Sequence, residues 1–281
     1  MAEILPPEIF TAAGNAWDKA HERHIHTSKD VGSAAISALD ATVREVKNGF
    51  GALEVITNPE IKELFKRDLE DYKTIFAEAD INMPSPNQLA QGGIDFGHLA
   101  ELKEQLSDYD LVVTPLTLPL GATCQFVSKA YEPKPNIKST RYARRLFVDD
   151  EVADNWEGIM KGTMNNWQLP VVGDNKWTAF MLFNREQPQD QGLSYNQTKR
   201  LKAIVPVVGY AAYQMHRVRQ GMPPVDTGGV SSWVASEFSI NYYACALHIG
   251  WNNPDSDRLM AIRGCGTSLK MEDVGSRAMA A

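Results

Sequence analysis

The chain has 281 residues, of which 43% are hydrophobic and 22% are charged. These proportions are typical of a globular protein that buries a substantial core, and they exclude wholesale disorder. Carboxylates outnumber Lys and Arg by 35 to 28, and this acidic balance disfavours a general nucleic-acid coat as the function.

Helices are predicted in residues 1–108. Asp30 can cap a helix that continues to Lys47, because apolar residues recur at helical spacing between them. A second helix is predicted to begin at Asn58, which is followed by a proline in the first turn and by the carboxylate of Glu60. Residues 81–97 contain several Pro and Gly and are predicted to be irregular, and a short helix is expected over residues 98–106.

Strands are predicted from residue 109 onward, where the hydrophobic pattern changes. Residues 110–119 and 122–130 are rich in β-branched side chains and bounded by Pro or Gly, so each is predicted to be extended. Pro115 has no N–H to donate, and the first of these segments is therefore expected to be an edge strand or a broken strand. Residues 167–172 and 177–183 flank a Gly-Asp-Asn-Lys turn and are predicted to form a hairpin.

One long helix is predicted to follow the hairpin. Ser194 and Gln197 have the spacing of a capping box, and aliphatic residues then recur at helical spacing as far as Val218. We expect this helix, residues 195–219, to pack its apolar stripe against the sheet.

The order of motifs around this hairpin and helix is distinctive. A strand that ends in Phe183-Asn184-Arg185 is followed by Pro188, a polar loop and the helix after Ser194. This arrangement, within residues 145–219, resembles the closing part of GAF-like sensory domains. The resemblance implies a regulatory, ligand-sensing role for this part of the chain.

The last part of the chain is predicted to be β-prone. A Gly-rich linker over residues 225–230 precedes two segments with strand character, residues 242–251 and 258–263, whereas residues 276–281 are expected to fray. The whole pattern predicts an α+β fold. Its three regions are a helical region over residues 1–108, an α+β region with a mixed or antiparallel sheet over 109–221, and the linker and tail over 222–281.

Cysteine usage and apolar run length indicate the compartment. Cys124, Cys245 and Cys265 are too scattered for a disulfide framework and are predicted to be free thiols. No apolar run reaches the roughly 18 residues that a membrane-spanning helix needs. The N-terminal residues lack the basic and apolar segments of a secretory signal. We therefore expect a soluble, cytoplasmic protein without a membrane partner.

A cluster of imidazoles near the N-terminus is the candidate metal site. His21, His24 and His26 fall close together, and neutral imidazole is a common ligand of transition metals. Their spacing matches no established zinc motif, so a solvated helix face is the alternative interpretation. The sequence identifies no cofactor.

The sequence offers no evident catalytic constellation. Cys245 and His248 would point to opposite faces of a strand, which separates the thiol from the imidazole. Glycine motifs that cradle phosphates do not occur in the sequence. The sequence therefore favours a non-catalytic role and leaves enzymatic activity open.

Aromatic residues of the α+β region form the candidate ligand site. They are expected to line a small-molecule pocket, from which the helix over residues 195–219 would relay occupancy to a protein partner, and they are Trp156, Trp167, Trp177, Phe180 and Phe183. Plain hydrophobic core is the alternative interpretation of these side chains. Two other functions remain open: a structural or assembly protein that forms homo-oligomeric particles, and a metal-dependent protein that uses the histidine cluster.

Overall fold

The computed structural model describes residues 49, 51–130, 146–201, 204–223, 225–226, 230–240, 243–251 and 260–281. A short 3-10 helix, Gly51–Val55, precedes the α-helices, which are α1 (Pro59–Ala77), α2 (Pro86–Gln91), α3 (Phe96–Gln105), α4 (Leu120–Ala130), α5 (Asp150–Asp154), α6 (Trp156–Asn166), α7 (Tyr195–Leu201) and α8 (Val207–Arg219). The strands are β1 (Tyr109–Pro115), β2 (Leu146–Val148), β3 (Trp177–Phe183), β4 (Ser231–Ile240), β5 (Tyr243–Trp251), β6 (Met260–Gly266), β7 (Val274–Gly275) and β8 (Met279–Ala280). The predicted α+β fold is confirmed. Among the described residues, no helix is both long and apolar enough to cross a membrane.

Helix α1 begins as its sequence predicts. The Asn58 side chain accepts hydrogen bonds from the backbone N–H groups of Glu60 and Ile61, at 3.0 and 3.4 Å. Its apolar stripe is buried, and each large aliphatic or aromatic side chain in such a stripe contributes about 1.5–3 kcal/mol. The buried apolar residues of the helix are Ile61, Phe65, Leu69, Tyr72, Ile75 and Phe76. The helix predicted from Asp30 to Lys47 lies outside the described residues.

Residues 81–97 are not wholly irregular, because they contain α2. Ser85 and Gln88 form a reciprocal capping box at its start. Pro86 occupies a first-turn position, where no N–H is needed, so the proline starts the helix instead of breaking it. The short helix expected over residues 98–106 is α3, which begins after the cap residue Asp95.

The first sheet has the order β1-β3-β8, with both pairings antiparallel. Tyr109 pairs with Phe183 at one end of the β1–β3 ladder and Pro115 pairs with Trp177 at the other. The expected edge position of β1 is confirmed, and Pro115 is its last residue. Since every residue of β3 is buried, both faces of this strand contact the core.

Two predicted strands are wrong. Residues 122–130 belong to helix α4, whose buried side chains Thr123, Phe126 and Val127 follow helical and not alternating spacing. Residues 167–172 form no strand and contribute only the isolated bridge between Val172 and Trp177. Strand β3 pairs instead with the distant β1, because that ladder continues over seven pairs whereas Pro170 lacks a ladder donor.

The helix predicted over residues 195–219 is broken into α7 and α8. The capping box between Ser194 and Gln197 forms as expected at the start of α7. Pro206 is the N-cap of α8, and a proline both lacks the N–H and disfavours helical backbone in the residue before it. The residues at the break pair with other segments instead. Pro206 forms an isolated β-bridge with Ala235, and Ile204 forms one with Ala278.

The second sheet has the order β2-β6-β5-β4-β7. The β4–β5 and β5–β6 pairings are antiparallel, whereas β2 pairs parallel with β6 and β7 pairs parallel with β4. Strand β5 covers residues 243–251 of the predicted segment 242–251, and β6 covers residues 260–263 of the predicted segment 258–263. The remaining residues of the two segments lie outside the described ranges. The register of β4 shifts between Val234 and Glu237, which marks a bulge in that strand.

The chain's last residues return to the first sheet. Strand β8 pairs with β3 through Met279 and Ala280, so the expected fraying of residues 276–281 is wrong. The side chain of Arg277 is fully buried, and this anchors the segment. The division of the chain at residues 108 and 221 stays a prediction, although β8 lies in one sheet with β1 and β3.

Candidate functional site

Helix α8 lies at the centre of the described polar interactions. Every residue from Val207 to Arg217 is buried, so the polar side chains of this helix must find partners inside the protein. These polar side chains are Tyr210, Tyr213, Gln214, His216 and Arg217. They contact residues of α1 and β1, and through Asp226 they are joined to the C-terminal segment.

The first group of contacts, the Asp226 network, joins α8 to the C-terminal segment. Arg277 donates to both carboxylate oxygens of Asp226, at 2.5 and 3.2 Å, and also to the backbone carbonyl oxygens of Phe183, Arg185 and Glu186. The Tyr210 hydroxyl donates to the same carboxylate. Burial and the charge of Asp226 raise the pKa of Tyr210 well above its usual value. The phenol therefore keeps its proton and acts as a structural donor.

The second group, the Asp110 network, joins α8 to β1. Tyr213 donates to one oxygen of Asp110 at 2.9 Å, and Asn184 donates to the other at 2.9 Å. Lys103 lies 3.4 Å from the Asn184-bonded oxygen, and Arg217 donates to the Tyr213 hydroxyl at 3.1 Å. Burial raises the pKa of Tyr213, with the Asp110 charge as the next cause. Because both carboxylate oxygens already accept hydrogen bonds, Asp110 is poorly arranged to act as a general base.

The third group, the His216 cluster, joins α8 to α1. One ring nitrogen of His216 lies 3.4 Å from Asp68 Oδ1 and the other lies 3.5 Å from Asp71 Oδ2. The imidazole also stacks on Tyr72, with ring centroids 4.8 Å apart. Since each nitrogen faces a carboxylate, neither is directed at a hydroxyl or thiol nucleophile. This arrangement is suited to holding two helices together.

Three of the five predicted ligand residues lie on β3, where they occupy both faces of the strand. Trp177 and Phe183 share one face by strand alternation, where Trp177 packs edge-on against Phe76 and Phe183 against Tyr109. Phe180 points to the other face and contacts the Trp167 ring at a centroid distance of 5.9 Å. Trp156 lies in α6. Its indole N–H donates to the carbonyl oxygen of Leu118 at 2.7 Å.

Two hydrogen-bond donors near Phe180 find no partner among the described residues. They are the indole Nε1 of Trp167 and the hydroxyl of Thr178, and both atoms are buried. Thr178 lies two residues before Phe180 on β3 and therefore shares its face. A buried donor without an acceptor costs about 1–3 kcal/mol. Other buried side-chain atoms of the described residues share this property, among them Thr198 Oγ1 and Ser276 Oγ.

Helix α8 reaches the same place through Gly209. A Cβ atom added to this glycine would lie 3.4 Å from Cζ of Phe180 and 2.9 Å from Cγ2 of Thr114. Thr114 is the register partner of Thr178 in the β1–β3 ladder. The backbone of α8 therefore contacts the strand face that carries Phe180 and the unpartnered Thr178 hydroxyl.

The thiol and imidazole groups of the second sheet do not form a catalytic pair. Cys245 and His248 both lie on β5 and alternate in direction, as predicted. Burial, with the Arg263 charge, lowers the pKa of His248 to about 4, so its ring is neutral near pH 7. Burial raises the pKa of Cys265 to about 11, which disfavours a reactive thiolate.

The predicted metal residues His21, His24 and His26 lie outside the described residues. Within the described ranges, no cluster of three or more His, Cys, Asp or Glu side chains has an arrangement that could hold a metal ion.

Comparison of the chain with protein-family models, curated proteins and solved structures finds no match. The resemblance of residues 145–219 to GAF-like domains therefore stays a prediction.

Trp167 and Phe180 were among the ligand residues predicted from the sequence, whereas Thr178 and Gly209 were not predicted. Thr178 was hidden within an apolar strand, and only the fold brings Gly209 to that strand. The polar residues of α8 do leave a trace, because Tyr210 and Gln214, and likewise Tyr213 and Arg217, are spaced four apart and bond to each other. Their acidic partners come from distant segments, and spacing alone cannot identify them.

Proposed function

We propose that the chain is a non-catalytic binding protein that holds a small planar molecule beside Trp167 and Phe180. The observation that carries the proposal is the buried indole N–H of Trp167, which has no acceptor among the described residues although its ring contacts Phe180. Binding sites for small molecules are commonly lined by aromatic side chains with a few well-placed polar groups. A bound acceptor would recover the free energy that the unpaired N–H costs.

Access to this position is governed by Trp167. Trp167 is only half-buried, whereas Phe180 is fully buried. Because Phe180 has no exposed surface, a ligand that contacts both rings must displace the half-buried Trp167 side chain as it binds. Residues such as Trp177 and Phe183, which lie on the opposite face of β3, are core residues in this proposal.

Helix α8 is the element through which binding would be transmitted. It contacts the Phe180 face at Gly209. Its polar side chains contact α1 and β1 and, through Asp226, are joined to the C-terminal segment. A shift of the Phe180 ring would therefore press on a helix that is joined to three parts of the fold. A protein partner that contacts any of these parts could respond to the occupied state.

The protonation states of the buried titratable groups also support a non-catalytic role. At pH 7 the tyrosines of α8 stay protonated and act as hydrogen-bond donors. Cys265 stays a thiol and the His248 ring is neutral. Groups in these states position other groups and fill space, but they are poor nucleophiles and poor bases.

Titration with two probe compounds, benzamide and toluene, tests the proposal. At least one of them is expected to shift the indole N–H resonance of Trp167 and to raise the melting temperature of the full chain. Trp167→Phe should abolish the response. Trp233→Phe is the matched control, because its indole donates to the Leu193 carbonyl oxygen in a separate apolar cluster. A protein that responds to neither compound, or equally in the Trp167 variant, would contradict the proposal.

Self-assembly is the competing function, and particle size separates it from ligand binding. A binding protein is expected to elute as a monomer or dimer in size-exclusion chromatography with light scattering. Large uniform particles that ignore both probe compounds would favour a structural role.

A further inference from the structure

We infer that the chain associates head to tail with a second copy of itself, through two exposed surface patches of opposite charge. The residues of the basic patch are Lys199, Arg200, Leu201, Leu269 and Lys270. The residues of the acidic patch are Glu54, Val55, Asp95, Glu101 and Glu104. Neither patch includes a residue of the ligand site proposed above, so the two proposals are independent.

Exposed apolar side chains mark both patches. Val55, Leu201 and Leu269 are 61%, 65% and 52% exposed, and they are the large hydrophobic residues that the described part of the chain leaves exposed. A single exposed apolar residue is ordinary on a protein surface. The informative feature is that each of the three lies among charged residues, because an apolar centre with a polar rim is typical of a protein interface.

Two segments form the basic patch: the end of α7 and the turn after β6. The backbone N–H of Asn196 donates to the Thr267 carbonyl oxygen at 3.1 Å, and the Asn196 side chain donates to the Thr267 hydroxyl at 3.3 Å. These bonds hold α7 beside that turn. Two carboxylates, Glu272 and Asp273, follow the turn, and the three cations of the patch outnumber them. The patch is therefore positive on a chain whose net charge is −7.

The acidic patch combines the 3-10 helix with the start and one face of α3. A Cβ atom added to Gly97 would lie 3.5 Å from Cγ2 of Val55 and 3.2 Å from Oδ1 of Asp95, so these two side chains are neighbours. Glu101 and Glu104 follow Gly97 at helical spacing and therefore lie on the same face of α3. The exposed valine thus adjoins a row of carboxylates.

The contacts within the acidic patch leave its charge negative. Glu54 pairs with Lys62 at 2.7 Å, but the lysine side chain is 18% exposed and the glutamate side chain 46%, so a partner would meet mainly the carboxylate. Glu101 lies 3.8 Å from the His98 ring, and Glu104 accepts a hydrogen bond from a neutral amide. An acidic surface of this kind complements the basic patch.

The signs of the two patches decide how two copies would meet. A symmetric contact of either patch with its own copy would bring like charges together, whereas a head-to-tail contact places the basic patch on the acidic one. Five side chains on each side are far fewer than the roughly 20–30 of a standard interface. We therefore expect weak association, with a dissociation constant on the order of 0.1 mM.

Light scattering of the full chain, followed by charge exchange between variants, tests the inference. The mean mass should rise with concentration at about 0.05 M salt and rise much less at about 0.5 M salt, where exposed charges are screened. Arg200→Glu with Lys270→Glu should abolish the rise, and so should Glu101→Lys with Glu104→Lys. An equimolar mixture of these two double variants should associate again, because each reversed patch then meets its opposite.

Two further variants separate a specific contact from a general effect of charge. Lys73→Glu with Lys161→Glu is the matched control, because it changes the net charge equally at exposed positions outside both patches, and it should associate like the unchanged protein. Leu201→Ser keeps every charge and should weaken the association several-fold, since it removes an apolar side chain from the centre of the contact.

Several outcomes would overturn the inference. One is an unchanged protein that stays monomeric at low salt up to about 0.5 mM, well above the expected dissociation constant. Another is a mixture of the two double variants that fails to associate, or a control variant that loses association. A protein that stays monomeric but binds vesicles of phosphatidylserine would show that the basic patch meets a membrane and not a second copy.

Discussion

Arg277 and Asp226 form an ion pair with 2.5 Å between the closest nitrogen and oxygen, and both side chains are completely buried. The pair joins the C-terminal segment to the residues that follow α8. Its geometry is favourable because the guanidinium also donates to three backbone carbonyl oxygens and the carboxylate also accepts from Tyr210 and Ser232. The hydrogen bonds offset the cost of removing both charges from water.

Arg277→Met is expected to lower the free energy of unfolding by about 3–5 kcal/mol, because it leaves the Asp226 charge buried without its partner. Urea denaturation measures the loss. Asp108→Asn is the control, since Asp108 pairs with Arg185 at 2.6 Å but the two side chains are 43% and 68% exposed. Such exposed pairs contribute about 0.2–1 kcal/mol. Equal, small losses in the two variants would show that the buried pair does not anchor the C-terminal segment.

The His216 cluster gives a second prediction. His216→Phe keeps a ring that can stack on Tyr72 but removes both nitrogens from the Asp68 and Asp71 carboxylates. The loss in urea denaturation should be about 1 kcal/mol. It is modest because neither nitrogen–carboxylate contact is a hydrogen bond and Asp68 Oδ1 keeps Arg67 at 3.5 Å. Adding Asp68→Asn should recover part of the loss, because it removes the buried charge. Additive losses in the double variant would contradict the coupling between the two residues.

The elements that the sequence predicts correctly are those determined by residues close to one another along the chain. Helix α1 follows from the cap residue Asn58, the proline after it and one apolar stripe, all of which act within a few residues. The edge position of β1 follows in the same way from Pro115, which cannot donate within a ladder.

Non-local pairing accounts for the elements and site residues that were mispredicted or missed. The segment over residues 167–172 has strand composition, but β3 finds a longer ladder with β1, and sequence spacing does not report that competition. The single predicted helix over residues 195–219 breaks where Pro206 bridges to β4, which lies further along the chain. Likewise, Trp167 and Phe180 were identified as aromatic residues, but Thr178 and Gly209 matter only through the side of β3 they share.

Gly209 gives a prediction about packing. Gly209→Ala gains helix propensity of about 1 kcal/mol, but its methyl group would meet Thr114 Cγ2 at 2.9 Å, and overpacking costs about 1–3 kcal/mol. We expect no stabilisation or a net loss in thermal denaturation. Gly158→Ala in α6 is the matched control, because nothing lies within 4 Å of the added Cβ. That variant should gain roughly 0.5–1 kcal/mol. Equal gains in both variants would contradict the close contact between α8 and the Phe180 face.

His248 makes stability depend on pH in a defined direction. Burial, with the Arg263 charge, lowers the pKa of its ring from 6.5 to about 4 in the folded protein. Between these two values the unfolded chain binds a proton that the folded protein does not, so stability falls as the pH drops from 6.5 towards 4 and then levels off for this group. The loss due to His248 should be on the order of 3 kcal/mol.

Urea denaturation of the protein and of His248→Leu, measured at several pH values between 7 and 4, isolates this contribution from that of the carboxylates. The variant cannot take up the proton, so its unfolding free energy should fall less steeply across the interval. Parallel pH profiles for the two proteins would mean that the burial of the His248 ring, which packs against Trp233, does not protect it from protonation.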